Sequence, residues 1–342
     1  MSVVVCFGEV MLRLTPPGYT RYSQTQSFDV AFGGAENNVA VSTACFGDQS
    51  RMITKLPNNA IADMFMQQMR SVGVDVSQVV RGGERMGIYF VEKGASLRPT
   101  RVTYDRKYSA MTTLKPGEID WDKALEDADW LHWTGITAAI SPDMPAVIME
   151  MLKAAKSKGV TVSCDLNYRK NLWTPEEAQQ VMPALVEYCD VIIGTVEDSA
   201  LTVGVVPETA DLDLGRQTEE NYFKTAQMLA KRFNAKKVAM MERESISSND
   251  CNWFMKLYDA ATDTMAHSRE YAVRIVDNVG CGDAFGAGLI HALRAGMSDQ
   301  EAVDFGTAAG ALKHTINGDY NLTSRDEVLN IMNSDSTGRV QR

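Results

Sequence analysis

Short apolar, β-branched runs alternate along most of this chain with amphipathic stretches, and that rhythm constrains the fold more than any other feature. A strand buried on both faces reads as a continuous apolar run, and a parallel neighbour needs a crossover helix to return the chain. Residues 3–8, 160–165, 190–194 and 237–241 read as such strands. Between 60 and 73, Ile61, Met64, Phe65, Met69 and Val72 fall on one helical face, with Gln68 the polar exception and Gly73 placed to close the helix. Residues 145–159 repeat the theme through Ile148, Met151, Leu152 and Ala155, ending at Gly159. Thr174 and Pro175 supply an N-cap and first helical position for another helix. The pattern predicts an α/β protein with a mostly parallel central sheet and helices on both faces.

Two segments break the rhythm. Residues 86–93 and 97–107 are β-like runs joined by Gly94, Ala95 and Ser96, which predicts a hairpin. Residues 11–32, with Pro16, Pro17 and Gly18, also lack helical periodicity. A small discontinuous β lid from 11–32 and 86–113, set on a body of 1–10, 33–85 and 114–342, accounts for both. The acidic stretch 205–220 reads as a surface loop or insertion.

Composition removes several function classes. Among 342 residues, 34 Lys and Arg stand against 44 Asp and Glu, a net charge of −10. Nucleic-acid binding draws on excess positive charge, so that class is disfavoured. No apolar run reaches the roughly 18 residues of a membrane span, and the first residues carry Glu9 where a leader would carry basic residues. Six cysteines without a C-x-x-C pair predict reduced thiols and a cytoplasmic address. The four histidines are widely separated, which gives no local support for a zinc site.

The segment that carries chemistry runs from Ile275 to Gly288. It reads as a strand over 271–276, a Gly-rich turn, and a helix ending near Gly296. Gly280 and Gly282 let successive N–H groups face outward, and a helix start adds its dipole, so the turn suits an anion such as phosphate. Asp283 lies beside that pocket. A carboxylate next to an anion site makes sense as a base for a hydroxyl that attacks phosphorus. Equally, Asp283 caps the helix and the glycines serve packing. No Gly-Lys pair exists, so there is no P-loop, and no G-x-G-x-x-G follows the first strand.

Asp277-x-x-Gly280-x-Gly282-Asp283, together with Gly33-Gly34-Ala35-Glu36-Asn37-Asn38 entering a helix, resembles the ribokinase-like (PfkB) carbohydrate kinases. Within them, residues 8–16, 34–38, 101–106 and 165–169 are most similar to 2-keto-3-deoxygluconate kinases. The resemblance implies Asp283 as catalytic base and the Gly280, Cys281 and Gly282 amides as anion hole. It implies sugar-acid contacts from Gly34, Asn38, Tyr89, Tyr104, Arg106 and Arg169. It implies ATP contacts from Asn167, Arg243, Ser245, Gly280, Gly282 and Thr307. It also implies Mg²⁺ approached by Glu197 through water, a monovalent cation such as K⁺ at Asp277, and a homo-oligomer formed through the lid.

The residues support the acid substrate on their own account. In a strand over 101–107, Val102, Tyr104 and Arg106 share one face, and Arg169 follows the strand 160–165 at its carboxyl end. Two guanidiniums converging on one pocket suit a carboxylate; otherwise they are solvated, or pair with Asp105 and Asp165. Three departures stand out. Gly194 replaces an expected Asn, residues 241–247 replace a Gly-containing turn, and Cys281, read as a buried inert thiol, replaces Ala. Arg243 reaches phosphates or pairs with Glu242 or Glu244. Rival readings are a neutral-sugar kinase of the same fold and a non-catalytic sugar or nucleotide sensor.

Overall fold

A computed structural model describes residues 2–212 and 216–333. Its main sheet has ten strands. The central strand Val3–Phe7 pairs in parallel with Gln49–Ile53 on one side and Ala128–Thr134 on the other. The chain winds outward from Val3–Phe7 to Val74–Asp75, then returns and winds the other way through Thr161–Asp165, Val191–Gly194 and Lys237–Ser245, all parallel. The winding direction reverses between Val3–Phe7 and Ala128–Thr134, and ligands of open α/β sheets gather at the carboxyl ends beside such a reversal.

Alternation along the central strand explains its uninterrupted apolar sequence. Val4 and Cys6 enter the core on one face, while Val3, Val5 and Phe7 enter the core on the other. Both faces are covered, as the sequence predicts for an α/β sheet. The far edge departs from the parallel rule. Asp250–Asp259 runs antiparallel to Lys237–Ser245 and in turn pairs with Thr264–His267 and Tyr271–Arg274.

A second, four-stranded sheet has the order Asp29–Gly33, Met11–Thr15, Gly87–Glu92, Arg101–Asp105. Met11, Arg13 and Tyr89 point toward the body and are buried. Leu12, Leu14, Ile88 and Phe90 alternate with them and are only half-buried.

Several boundaries and one helical face differ from expectation. The helix Ala60–Ser71 buries Ala62, Phe65, Met66 and Met69, while Ile61 and Met64 are exposed. The edge-to-face packing of Phe65 on Phe32, with ring centroids 5.4 Å apart, fixes the rotation of that helix; periodicity alone does not. The hairpin loop spans 93–100 rather than three residues, because Leu97 is almost fully exposed and the second strand begins only at Arg101. The strand expected over 237–241 continues to Ser245, since its antiparallel partner extends the ladder. The strand expected over 271–276 ends at Arg274. Within 205–220, Thr218 caps a helix, Glu219–Phe233; residues 213–215 lie outside the described set. The capping box at Thr174 and Glu177 forms as its sequence predicts.

Candidate active site

A cleft of about 1120 Å³ opens between the two sheets at the carboxyl ends of the parallel strands. The helix Cys281–Arg294 points its N-terminus into this cleft, with Gly280 as N-cap at φ +86°. The first amides of any α-helix have no partner within it, so the amides of Cys281, Gly282 and Asp283 form a donor cluster. Gly280 is required by both conformation and space. Its φ is left-handed, and a Cβ there would overlap the backbone carbonyl of Asp319. Gly282 is not so constrained, since a Cβ would meet only the Met241 side chain, at 3.6 Å.

Asp283 lines the cleft, and its Oδ2 accepts a hydrogen bond from Asn38 Nδ2 at 2.7 Å. Asn38 comes from the helix Ala35–Cys45, whose N-cap Gly34 sits at φ +151° against the Glu9 carbonyl. The turn at Gly34 thus brings the two sequence signatures together across the cleft. Burial pushes the Asp283 carboxyl up to about 6; the Asn38 bond opposes that shift, and the charge of Asp319 adds to it. A carboxyl of this basicity is ionised at neutral pH yet binds a proton more readily than an exposed one. If Asp283 is the essential base, kcat/KM rises with pH, about tenfold per unit, up to about 6 and then levels. A profile flat from pH 5 to 7 contradicts this assignment.

Most of the other candidates reach the same cleft. Gly34, Tyr89, Tyr104, Arg106, Asn167, Arg169 and Glu197 all line it. Tyr89 is buried and stacks on Tyr104, with ring centroids 6.0 Å apart. Burial, with Asp319 nearby, raises the Tyr89 hydroxyl well above its ordinary pKa. Asn167 holds a left-handed conformation, φ +40°, and its amide N–H donates to Asp165 Oδ1 at 3.2 Å. Such strain in a non-glycine residue persists only where its surroundings enforce it.

The two guanidiniums differ. Arg106 donates through Nε and Nη2 to the Glu9 carboxylate, which also accepts from Ser109. Asp105, one of its conceivable partners, is held by Arg85 instead. Arg169 is exposed, donates Nη1 to the Tyr168 carbonyl at 3.0 Å, and forms no ion pair among the described residues. Its positive charge opposes the raised pKa values of both Asp165 and Asp283.

A smaller recess of about 420 Å³ adjoins the cleft, reached by Glu197 and Arg243 and backed by Cys281 and Gly282. Ser245 and Thr307 join neither cavity. Ser245 ends its strand, paired with Cys251, and Thr307 is fully buried with its hydroxyl donating to the Val303 carbonyl. Burial pushes the Cys281 thiol up to about 12, as suits an inert thiol despite its place at a helix start. Asp277 lies beneath the turn, where Arg13 Nη2 pairs with its Oδ2 at 2.5 Å.

Sequence reasoning missed Glu9, Arg13, Glu36, Asp165 and Asp319. Glu36 accepts from Thr134 and Thr137 hydroxyls, and burial raises its carboxyl to about 7. Asp165 is raised by burial and by the charges of Asp198 and Asp283. Arg13 had a visible signal: a guanidinium on the buried phase of the strand Met11–Thr15 needs carboxylate partners.

Fold and site together define an α/β protein with an anion-receptive helix start and a poised carboxylate at the sheet's reversal point. The chain belongs to the pfkB family of carbohydrate kinases, whose profile matches residues 1–325. It is 43% identical to a crystallised 2-dehydro-3-deoxygluconokinase of Thermotoga maritima, covering 98% of this chain and 100% of the other, with a TM-score of 0.93. It is 31% identical to a 2-dehydro-3-deoxygalactonokinase of Haloferax volcanii over 98% of each chain. It is also 29% identical to a 2-dehydro-3-deoxygluconokinase of Bacillus subtilis, covering 97% and 96%. The fold extends to a putative ribokinase of E. coli crystallised with ATP and Mg²⁺, at 20% identity and a TM-score of 0.80.

Proposed function

We propose that the protein transfers the γ-phosphoryl group of ATP to the terminal hydroxyl of 2-keto-3-deoxygluconate. The observation that carries the reading is the pairing of Asp283 with the donor cluster at 281–283 on one wall of the cleft. Asp283 takes the proton from the attacking hydroxyl, and the oxygen then forms its bond to phosphorus as the bond to ADP breaks. The amides of 281–283 and the helix dipole stabilise charge on the transferring group. Relatives named for 2-keto-3-deoxy sugar acids support this substrate class.

Arg169 is the guanidinium with capacity for the substrate carboxylate, and Tyr104 and Tyr89 offer a stacked aromatic wall in the same cleft. Glu197 and Arg243 face the smaller recess, where we place the nucleotide phosphates. Among the described residues no group of three or more acidic, His or Cys side chains forms a metal cage. Mg²⁺ binds through nucleotide phosphates with one or two carboxylates and neutralises phosphate charge. Glu197 would be one such carboxylate. The sheet 11–15, 29–33, 87–92, 101–105 acts as a lid that excludes water. Its outward face, with Leu14, Val30 and Phe90, is apolar enough to pair with a second copy. Six free cysteines suit a reducing, cytoplasmic setting, and no helix among the described residues is long and apolar enough to cross a membrane.

The substrate reading is tested with Arg169→Ala. Loss of a charge-assisted contact is expected to raise KM for the keto-acid about 10–100-fold while KM for ATP moves less than about threefold. Unchanged KM for the acid, or equal damage with fructose, would remove Arg169 from the acid site. Assaying the gluconate and galactonate epimers side by side assigns the stereochemistry.

A further inference from the structure

Two loops meet beneath the Gly-rich turn. One is 277–280, and the other is 314–319, which follows the helix Asp299–Lys313. The amides of Val276 and Asp277 donate to the His314 carbonyl at 2.8 and 3.2 Å, and the Gly318 amide donates to Asp277 Oδ2 at 3.1 Å. Gly280, the cap of the donor cluster, abuts the Asp319 carbonyl. A movement of the second loop therefore moves the amides.

Cationic side chains fill this junction. Lys313 is fully buried, and its Nζ donates to the carbonyl of Asp277 at 3.4 Å and that of Ile316 at 3.1 Å, one from each loop. Arg13, from the second sheet, is also buried, and spans Asp277 Oδ2 at 2.5 Å and Asp319 Oδ1 at 2.7 Å. Lys93 lies 3.7 Å from the same Asp277 oxygen and donates to Asn317. Inward-turned carbonyls and a carboxylate are the oxygen donors a monovalent metal ion takes, so the expectation of such an ion at Asp277 has a physical basis here. The residues present do not fit such an ion at Asp277, because its carboxylate is held by Arg13 and its carbonyl by Lys313. Burying an ammonium is costly unless its hydrogen bonds are supplied, and an apolar side chain would fill the same space without that cost.

We propose that Lys313, assisted by Arg13, is a built-in cation that positions the 280–283 turn, so that phosphoryl transfer needs no monovalent metal ion. The proposal rests on reading that turn as the holder of the transferring phosphoryl group. Lys313 is a positioning residue: it lies behind the turn and acts through the backbone of Asp277. With its charge gone, the two loops lose the one cation that joins them through their backbone carbonyls among the described residues, Arg13 and Lys93 reaching only side chains. Misplacement of the amides by a fraction of an ångström is felt in kcat more than in KM.

The test compares turnover of the wild-type enzyme in potassium chloride and in choline chloride at equal ionic strength, then repeats it with Lys313→Met and Lys313→Ala. Wild-type kcat is expected to differ by less than about twofold between the salts. Lys313→Met, which keeps bulk without charge, is expected to lose about 10²-fold in kcat with KM for the keto-acid within about threefold. Lys313→Ala, which opens a space, is expected to regain about tenfold or more in potassium but not in choline. A wild-type enzyme that turns over but depends on potassium by more than about tenfold overturns the proposal, and needs no variant to fold. So does a Lys313→Met enzyme of unchanged kcat, or a Lys313→Ala enzyme that potassium does not restore. A wild-type enzyme that phosphorylates no sugar acid in either salt overturns the underlying functional reading instead.

Discussion

Asp283→Asn is expected to lower kcat by about 10²–10⁴-fold, the range for removing a general base, with KM for ATP and keto-acid changed by less than about threefold. The amide keeps the size of the carboxylate and can still bond to Asn38 after a side-chain rotation, so the pocket is preserved. What it lacks is basicity. In the proposed role the wild-type carboxyl, raised to about 6 by burial, accepts a proton as the hydroxyl attacks; a carboxamide cannot. The effect is therefore confined to the chemical step and read as a fall in kcat under saturating substrates. A further sign separates this from general damage: the acid limb of the pH profile disappears in the variant. Retention of kcat within about tenfold would leave Asp283 as a helix-start residue and no more.

The second large effect is expected at Gly280. Gly280→Ala places a Cβ on the Asp319 carbonyl in a backbone held at φ +86°, so either the turn or the 314–319 loop has to move. Loss of one aligned donor costs about 10²–10³-fold in kcat, and the left-handed strain costs about 1–3 kcal/mol of stability. Gly282→Ala is the control. Its Cβ has room beside Met241, and its loss in kcat is expected to stay within about tenfold. Measuring kcat and the urea midpoint of both variants checks the contrast. Equal damage at 280 and 282 would mean that the glycines serve packing around the helix rather than the amide cluster.

This contrast also marks how far sequence reading reaches. The motif from Asp277 to Asp283 looks symmetrical on paper, with a glycine on each side of Cys281. Only three-dimensional packing distinguishes a glycine pressed on another loop's carbonyl from one with space. The parallel core was legible because a strand buried on two faces has no polar alternation to hide. The cleft was legible in outline because Gly34 and Asn38 lie at the start of a helix and Arg169 follows the carboxyl end of a strand. Arg106 was less so. Its face of the strand is evident from the period of two, but its partner Glu9 is 97 positions away, beyond any local pattern. Ser245 and Thr307 failed to reach the cavities for related reasons. An extended antiparallel ladder carried Ser245 past the recess, and burial of the helix Asp299–Lys313 turned Thr307 inward. Ile61 and Met64 show that apolar residues alone do not set a helix's rotation when the packing partner is unknown.

The balance of charge in the site follows one logic. Asp165, Asp283 and Asp319 crowd negative charge near the cleft, while Arg169 and the helix start oppose it. Such crowding would repel a free phosphate. It is tolerable where one carboxylate is to be protonated during the reaction and the arriving nucleotide is accompanied by a divalent cation.

The most direct measurement is ADP release from ATP by the purified protein with 2-keto-3-deoxygluconate, coupled to an indicator reaction and followed by phosphorus NMR of the product. Saturable ADP formation, matched one for one by a phosphate ester on the acid's terminal hydroxyl, is the predicted result. Saturable binding of nucleotide and sugar acid with no ester formed from any sugar would contradict it, and would leave a sensor that keeps the shape of a kinase.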